Sequence, residues 1–419
     1  NEHTLDRVVL PTGEETNWKY NGQGQLLHAV SNQDTSVNYH YDELGRVEQV
    51  KTVDGNMIHL KYDGVGNVIQ AKDKHHQVKF EYSATGKLEA REENETKIKF
   101  AYTKADQLKA ITNEHKSLYR FDRDRNGQII QESGFDGLKR KYARNAGGQV
   151  SQTTTPDGRK VSYAYDLLGN VSIVNYDDGT KEVYTYDKSG ALIEAVNENG
   201  VVILERDELG RVTAETQNGI RIENTYDKLG RRTALTSSLG ADIKISRNKL
   251  GHILNTNVEQ TRQQTEEELI NDKEAGPNQW EVDITRNLVG LEIERSLPGG
   301  VSSSWKRDKS GRPIKHSVST KEQLESDKRY QWDVNDRLRS IEDLLKNELT
   351  TFEHDVFGNL AAAQYSDGSW DYKLPDEIGN LFKTKDKKDC QYGKAGQLLK
   401  DEKYTYSYDE VGNLITKES

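Results

Sequence analysis

The sequence is poor in the residues that build a conventional hydrophobic core or a cysteine-based site. Among 419 residues there is one Cys, one Met and only six Pro, and hydrophobic residues make up 33%. No run of about 18 apolar residues occurs, which excludes a membrane-spanning helix. A lone cysteine, Cys390, cannot form a disulfide framework or a thiolate metal site.

Charge is balanced rather than concentrated. The chain has 59 basic and 69 acidic residues, for a net charge of −10. This interspersed, mildly acidic pattern argues against nucleic acid as a partner. Disorder is also unfavoured, because 21 Tyr residues are many for a disordered chain. Since it begins at Asn1 with neither an initiator Met nor a signal-peptide pattern, we expect a piece of a longer protein.

An internal repeat dominates the sequence. Its core is Tyr-Asp-x-x-Gly, and degenerate copies replace the Tyr, as Arg206 and Arg307 do. From residue 20 to residue 247 the Tyr position recurs every 20 or 21 residues, and further copies follow to residue 408. A constant step of this length is typical of repeat architectures. The clearest copies are Tyr41, Asp42, Gly45; Tyr62, Asp63, Gly66; Tyr165, Asp166, Gly169; Tyr186, Asp187, Gly190; Tyr226, Asp227, Gly230; and Tyr408, Asp409, Gly412.

Each repeat predicts two strands and two turns. Before the Tyr position, apolar residues alternate with polar ones, which is the pattern of a half-buried strand. In Asp-x-x-Gly, the Asp accepts hydrogen bonds from the backbone ahead of it and the Gly supplies a positive φ, so the segment is a turn. Asp-Gly pairs predict the hairpin turns between repeats. These pairs begin at Asp54, Asp136, Asp157, Asp178 and Asp367.

The predicted fold is all-β. Nineteen copies give roughly 38 strands, or on the order of 180 Å of sheet at about 4.8 Å per strand. Open sheets of more than about 10 strands curl or split. We therefore expect a spiral of hairpins around a hollow interior, with a flat array or a narrow β-solenoid as the alternative.

One continuous repeat domain is expected. Regular hairpins occupy residues 1–253 and continue over 286–419, with an insertion at 254–285. Within it, the polar stretch Thr261–Ile270 is expected to replace one hairpin, as a short helix in one interpretation.

The repeat resembles that of the Rhs/YD-repeat family, and the resemblance covers essentially the whole chain. Longer stretches are similar to the Rhs cores of type VI secretion effectors, namely Glu132–Gly137, Arg295–Gly300, Trp332–Leu338 and Asp355–Ala363. The resemblance implies a β-cocoon, a non-enzymatic shell that encapsulates and chaperones a C-terminal toxin domain. It implies synthesis in the bacterial cytoplasm and type VI secretion into competing cells.

The same resemblance implies the partners. They are the enclosed toxin domain, the rest of the Rhs core or a second shell fragment, and type VI spike proteins bound through an N-terminal domain. The chain departs from the family where a DPxGxxG-type segment would carry autoproteolysis. Pro375–Gly379 is only a repeat copy with Pro at the Tyr position. No autocleavage residue is therefore assigned, and we expect the toxin and the N-terminal domain to lie outside this chain.

Other candidate sites are weaker than their structural explanations. Asp122–Ser133 begins like a calcium-binding EF-hand loop, but Ser133 stands where a bidentate Glu is required. His75 and His76 are neighbours on a predicted hairpin and cannot easily bind one metal ion. Ser302–Ser304 lacks a nucleophile elbow. We therefore predict no catalytic, metal or cofactor site.

Two other functions remain open. The Tyr and Asp residues of the repeats could form a glycan-binding surface in an adhesion module, although packing and turn formation explain them better. An enzyme, such as an autoprotease, would need one pair of unequal acid and base groups, whereas the repeats supply many equivalent ones.

Overall fold

The computed structural model describes residues 4–33, 35–93, 96–156, 158–261, 278–355, 358–376, 379–393, 396–408 and 414–419. These residues form 40 β-strands and one 3-10 turn at Pro298–Gly300. The predicted all-β repeat fold is confirmed. None of the described residues forms a helix long and apolar enough to cross a membrane.

The strands follow one another at short intervals along the chain. They are β1 Arg7–Val9, β2 Glu15–Tyr20, β3 Leu26–Ser31, β4 Ser36–Tyr41, β5 Val47–Thr52, β6 Met57–Tyr62, β7 Val68–Lys72, β8 Gln77–Tyr82, β9 Leu88–Glu93, β10 Thr96–Tyr102, β11 Leu108–Thr112, β12 Leu118–Arg123, β13 Ile129–Ser133, β14 Lys139–Arg144, β15 Val150–Thr154, β16 Lys160–Tyr165, β17 Val171–Tyr176, β18 Lys181–Tyr186, β19 Leu192–Asn197, β20 Gly200–Arg206, β21 Val212–Gln217, β22 Ile220–Tyr226, β23 Arg232–Ser237, β24 Ala241–Arg247, β25 Ile253–Gln260, β26 Asn278–Arg286, β27 Glu292–Leu297, β28 Val301–Arg307, β29 Pro313–Ser319, β30 Leu324–Trp332, β31 Leu338–Asp343, β32 Glu348–His354, β33 Leu360–Gln364, β34 Trp370–Tyr372, β35 Leu374–Pro375, β36 Leu381–Phe382, β37 Gln391–Tyr392, β38 Leu398–Lys400, β39 Thr405–Tyr408 and β40 Leu414–Glu418.

Strands β1 to β34 form one antiparallel sheet in which each strand pairs with the next along the chain. Two smaller sheets follow, β35–β36 and β37–β40. The register shifts by one residue just before the Asp-x-x-Gly turns, as between Lys61 and Tyr62 where Tyr62 pairs with Val68. Such bulges bend a strand and increase its twist. Repeated at every second turn, they favour a sheet that coils rather than one that lies flat.

The sheet is a single layer. In β8, Val78 is buried and Phe80 is half-buried, while the alternate residues Lys79 and Glu81 are exposed, as the period-two pattern predicts. The buried apolar residues are mostly Ala and Val, and none of the described residues has a side chain that is less than 2% exposed. The chain exposes 27083 Å², whereas a compact protein of this mass would expose about 16,000 Å². Solvent therefore reaches both faces.

The predicted insertion lies partly within regular strands. Residues 254–260 and 278–285 belong to β25 and β26, which pair directly from Asn255 with Asp283 to Gln260 with Asn278. This pair is the hairpin that joins the repeat copies at 247 and 286. The flanks of the expected insertion are therefore regular strands, and the stretch expected to replace a further hairpin lies outside the described residues apart from Thr261. The helix expected over Thr261–Ile270 lies almost entirely outside the described residues.

The positive φ of a turn glycine should make that position intolerant of a side chain. Gly66 has a φ of 98°, and a Cβ atom there strains the backbone even though no other atom lies within 4 Å. Gly66→Ala should therefore destabilise the fold by about 1–2 kcal/mol. The matched control is Gly64→Ala in the same turn, because Gly64 is equally open and has no positive φ. Thermal unfolding followed by circular dichroism measures both, and equal shifts would contradict the prediction.

Candidate functional site

The Asp-x-x-Gly turns form one edge of the sheet, here named the YD rim. In the turn after β4, Asp42 Oδ1 accepts the backbone N–H groups of Leu44 and Arg46 at 3.0 and 2.9 Å. Gly45 closes the turn with a φ of 79° and donates its N–H to the Asp42 carbonyl at 2.9 Å. Asp63, Asp166, Asp187 and Asp227 accept the corresponding N–H groups in their own turns. These carboxylates are thus committed to turn formation.

The tyrosine of each repeat links that repeat to the one before it. Tyr62 Oη donates to the carbonyl of Val47, the first residue of the preceding strand, at 2.7 Å. The same bond is made at 2.7 to 2.9 Å by Tyr41, Tyr165, Tyr186, Tyr226 and Tyr408. Asp409 and Gly412 of the last copy lie outside the described residues, as does Asp157.

Arginine replaces tyrosine in the degenerate copies without losing this link. The Arg206 guanidinium donates to the carbonyls of Leu192 and Gly210, at 3.1 and 2.9 Å. Arg307 donates in the same way to the carbonyls of Glu292 and Gly311, both at 3.0 Å. The sequence shows the Tyr-to-Arg exchange, but the carbonyl that both side chains reach depends on strand pairing.

The sheet winds into a spiral, and β-turns at one edge of the second coil contact β-turns at the other edge of the first coil. The other edge, here named the opposite rim, consists of the turns that join β1 to β2, β3 to β4 and so on. Thr12, in the β1–β2 turn of the opposite rim, donates its hydroxyl to the carbonyl of Leu288 in the β26–β27 turn of the YD rim, at 2.9 Å. The two turns are 25 strands apart along the sheet. The Asp54–Arg312 contact joins turns 23 strands apart, so one coil takes about 24 strands. At 4.8 Å per strand this gives a circumference on the order of 115 Å and a diameter of roughly 37 Å.

This line of turn-to-turn contacts, here named the seam, contains a polar cluster. Asn335 Nδ2 donates to Asp73 Oδ2 at 2.9 Å, although the two residues are 262 positions apart. Asn56 Nδ2 also approaches Asp73 Oδ2, at 3.4 Å. Burial opposes ionisation of Asp73, but the N–H groups of His75 and His76 and the two amides outweigh it. The pKa of Asp73 therefore lies below its usual value.

An ion pair and a cavity complete the seam. Arg312, in the YD rim, binds Asp308 of its own turn at 2.7 Å and reaches Asp54 of the opposite rim at 3.5 Å. Beside this pair lies a cavity of about 710 Å³ lined by both turns of the spiral. Its apolar lining includes Val30 and Val53 from the first coil of the spiral and Val289 from the second coil.

The remaining sequence candidates are spread over the sheet. Asp124 supports a repeat turn by accepting the N–H groups of Asn126 and Gln128, both at 2.9 Å, while Asp122 lies in β12. Across the described ranges, no three His, Cys, Asp or Glu side chains are placed to hold a metal ion together. His75 and His76 belong to the seam turn, and His76 contacts the buried Glu93.

Two polar groups have partners that the sequence does not reveal. Ser303 Oγ lies 2.8 Å from His316 Nε2 on the neighbouring strand, and the His316 ring stacks on Trp305. Burial lowers the pKa of His316. Cys390 Sγ donates to Asp389 at 3.3 Å, and burial raises the pKa of the thiol.

An aromatic cavity of about 760 Å³ lies where the large sheet ends. Trp370 and Tyr372 stand parallel on β34, with ring centroids 5.6 Å apart, and Phe382 and Tyr392 form another wall. Lys385 lies 5.2 Å from the Tyr372 ring centre. Sequence reasoning missed this cavity because its residues come from three separate sheets, and the spacing of aromatics gave no signal.

Comparisons with known proteins find similarity in two stretches of the repeats and in the overall fold. A family model described as Teneurin YD-shell matches residues 50–132, and one described as RHS Repeat matches residues 144–181. No curated protein sequence matches the chain. The crystal structure of TcdB2-TccC3 is similar with a TM-score of 0.68 at 12% identity, over 96% of this chain and 27% of that one.

A second solved structure agrees with the first. The Photorhabdus luminescens Tc holotoxin pore with a mutation in TccC3 is similar with a TM-score of 0.68 at 12% identity, over 96% of this chain and 26% of that chain. This chain therefore spans about a quarter of the length of those relatives. At such low identity the likeness is one of fold.

The seam predicts energetic coupling between distant residues. Asp73→Ala and Asn335→Ala should each destabilise the fold, and a double-mutant cycle should give a coupling energy of about 1 kcal/mol from their shared hydrogen bond. Urea unfolding supplies the free energies. As a control, Asp73→Ala should be additive with Asn170→Ala, since Asn170 bonds Asp166 in an Asp-x-x-Gly turn of the first coil, far from the seam. Zero coupling between Asp73 and Asn335 would show that the turns do not meet in solution.

The hydrogen-bonded turn carboxylates should make the stability of the fold fall at low pH. The side-chain amide of Asn67, followed by backbone N–H groups, lowers the pKa of Asp63 although burial opposes it. The pKa values of Asp42, Asp166, Asp187 and Asp227 are lowered likewise. Because these folded-state values lie below the unfolded value near 3.8, the stabilisation is present above that pH. It is lost as the pH falls through the folded-state values.

Thermal midpoints measured from pH 7 to pH 2 test this expectation, with a steep fall below about pH 4. The matched variant replaces all five Asp residues by Asn. Asn21 already occupies the same turn position and accepts N–H groups at 3.0 and 2.9 Å, so Asn preserves the geometry. The variant should lose less stability in acid than the parent chain. Identical acid profiles would contradict the role of these carboxylates.

Proposed function

Because the chain is a member of the Rhs/YD-repeat family, we propose that it is a segment of a hollow shell that encloses a C-terminal toxin domain for secretion. The observation that carries the proposal is the seam, in which turns about 24 strands apart along the sheet are in contact. The role is non-enzymatic, since the repeated carboxylates are used in turns. Interbacterial competition through type VI secretion is the finer form of this proposal, supported by the resemblance of Trp332–Leu338 to Rhs effector cores.

The dimensions favour a cargo that is not compactly folded. Side chains project about 5 Å from each face of a sheet, so a coil roughly 37 Å across leaves a lumen of roughly 27 Å. A folded domain of 100 residues has a radius of gyration of about 13 Å, or a diameter of about 33 Å. Within one such coil, a toxin domain would be held elongated or partly unfolded.

A glycan-binding adhesion module is the second candidate. It is favoured by the aromatic cavity, because the parallel rings of Trp370 and Tyr372 and the nearby Asp371 and Lys383 offer apolar faces beside polar groups. A glycan array probed with the purified chain and with the Trp370→Ala variant separates the two functions. Binding that depends on Trp370 would support the adhesion module, and the absence of binding would remove it.

The shell proposal is tested with a fused cargo. A reporter of about 100 residues that is rapidly cleaved by trypsin when free is attached after Ser419. We expect the fusion to protect the reporter by at least about tenfold in cleavage rate, because the coil excludes the protease. The control is the same fusion carrying Arg312→Glu and Asn335→Asp, which place repulsive charge against Asp54 and Asp73 in the seam.

Electron microscopy of the same samples reports whether the coil is present. An open ring with protected reporter supports the shell, and loss of protection in the seam variant ties it to coil closure. A ring whose reporter is cleaved as fast as the free reporter would contradict enclosure. A thin solid rod would contradict the hollow architecture itself.

A further inference from the structure

The polar cluster of the seam contains a carboxylate that has no cationic partner. Asp73 lies in the turn that joins β7 to β8, and its Oδ1 accepts the backbone N–H groups of His75 and His76 at 2.8 and 2.7 Å. Its Oδ2 faces the side-chain amides of Asn56 and Asn335. Among the described residues, no Lys or Arg side chain pairs with this half-buried carboxylate. Carboxylates that are removed from water are normally paired with a basic group or bound to a metal ion.

Two asparagine side chains pack against Asp73, and the oxygen of each amide has no hydrogen-bond donor. Asn56 is only 7% exposed, and its Nδ2 lies 3.4 Å from Asp73 Oδ2 and 3.5 Å from the carbonyl oxygen of Val334. Asn335 Nδ2 lies 2.9 Å from the same oxygen of Asp73. Asn56 Oδ1 and Asn335 Oδ1 are both buried, and neither has a partner in the part of the chain that the structure describes. Buried polar atoms of this kind point to a bound water molecule or ion.

The spacing of these atoms matches that of the oxygen ligands around a calcium ion. A half-turn of an asparagine amide exchanges its nitrogen and its oxygen. Turning both amides would bring their oxygens together with Asp73 Oδ2 and the carbonyl of Val334, at the separations of 2.9, 3.4 and 3.5 Å now spanned by the two nitrogens. Neighbouring ligands at right angles are about 3.4 Å apart around Ca²⁺ but only about 3.0 Å apart around the smaller Mg²⁺. Two of the three separations therefore favour calcium.

The basic side chains nearby are already used by other carboxylates. Arg312 binds its own turn and reaches Asp54 at 3.5 Å, and Arg339 binds Asp333 at 2.8 Å. Asp73 has no such partner among the described residues. A cation held at Asp73 would thus supply the positive charge that this part of the seam lacks, whereas a water molecule would not.

We propose that Asp73, Asn56, Asn335 and the carbonyl of Val334 bind one calcium ion that joins the two coils. Asp73 and Asn56 belong to turns of the first coil, and the other two ligands belong to one turn of the second. The ion is therefore fully ligated only when the coils are in contact. Water completes the six to eight ligands that calcium takes, and a single carboxylate implies a dissociation constant of about 0.1–1 mM.

The site departs from the sequence prediction that the chain binds no metal. That prediction considered His residues and carboxylates within one repeat, whereas these ligands are mainly amide and carbonyl oxygens from three turns. Because ligation requires both coils, calcium binds the closed seam better than the open one and stabilises it. The proposal does not depend on what the coil encloses.

The first test follows thermal unfolding of the full chain in calcium chloride at up to about 10 mM, roughly ten times the weakest expected dissociation constant. The midpoint should rise to a plateau, and by more than in magnesium or sodium chloride of equal ionic strength. Asp73→Asn should lose this response, because it keeps an acceptor for the turn, as Asn21 does in its own turn, but removes the charged ligand. The matched control is Asp343→Asn, which should respond like the parent chain. Asp343 accepts the N–H groups of Leu345 and Lys346 in an opposite-rim turn of the second coil.

The second test adds a ligand charge through Asn335→Asp. Without calcium, repulsion between the new carboxylate and Asp73 should lower the thermal midpoint. With calcium the midpoint should recover, and the half-saturating concentration should fall at least about tenfold because affinity rises with ligand charge. Isothermal titration calorimetry of this variant should give one calcium ion per chain.

A cluster held only by hydrogen bonds or a bridging water would leave Asn335→Asp equally destabilised with and without calcium, and that result would overturn the proposal. A parent chain that responds to calcium no more than to sodium would also overturn it. So would a calcium response that Asp73→Asn leaves unchanged, because the ion would then bind elsewhere.

Discussion

The structure depends on the hydrogen bond between the hydroxyl of each repeat tyrosine and the first carbonyl of the preceding strand. A single-layer sheet has no second layer to bury apolar surface, so its stability must come from ladders, turns and links between repeats. Tyr62 and Val47 show how this works: the bulge before the turn moves Tyr62 out of register, and its hydroxyl satisfies a carbonyl one strand back. Arg206 serves the same purpose through its guanidinium. The link, more than the identity of the residue, is what the repeat maintains.

Closure of the spiral follows from the same local geometry. Bulges at alternate turns add twist at regular intervals, and about 24 strands complete one turn of the coil. The seam is polar and holds a cavity, so it contributes far less than the ladders that run along the sheet. The coils meet through scattered contacts such as that of Thr12 with Leu288, and these contacts add to the stability that the ladders provide.

Most of the fold could be predicted from the sequence because the signals for strands and turns lie within each repeat. Alternation around Val78 and the Asp-x-x-Gly turns depend on residues within one hairpin, and the structure bears out the all-β spiral. The seam could not be predicted, since Asn335 and Asp73 meet only after the curvature of more than twenty strands has accumulated. The longer step between the repeat copies at 247 and 286 hid how far the regular strands extend, so the expected insertion at 254–285 took in residues that belong to β25 and β26. The aromatic cavity was missed because it lies at the interruption between sheets, where periodicity ends.

The absence of a second layer also bears on how such a coil could act. Because solvent reaches both faces, the sheet offers few large apolar surfaces that could bind a cargo. A cargo would therefore be retained by the wall acting as a barrier rather than by tight binding. A barrier works only while its seams stay closed, and here closure rests on charged and amide side chains at turns. The pKa of Asp73 is lowered by four N–H donors, one of them from the other side of the seam. Protonation of this carboxylate in acid would remove a charged acceptor from a hydrogen bond that joins the two coils.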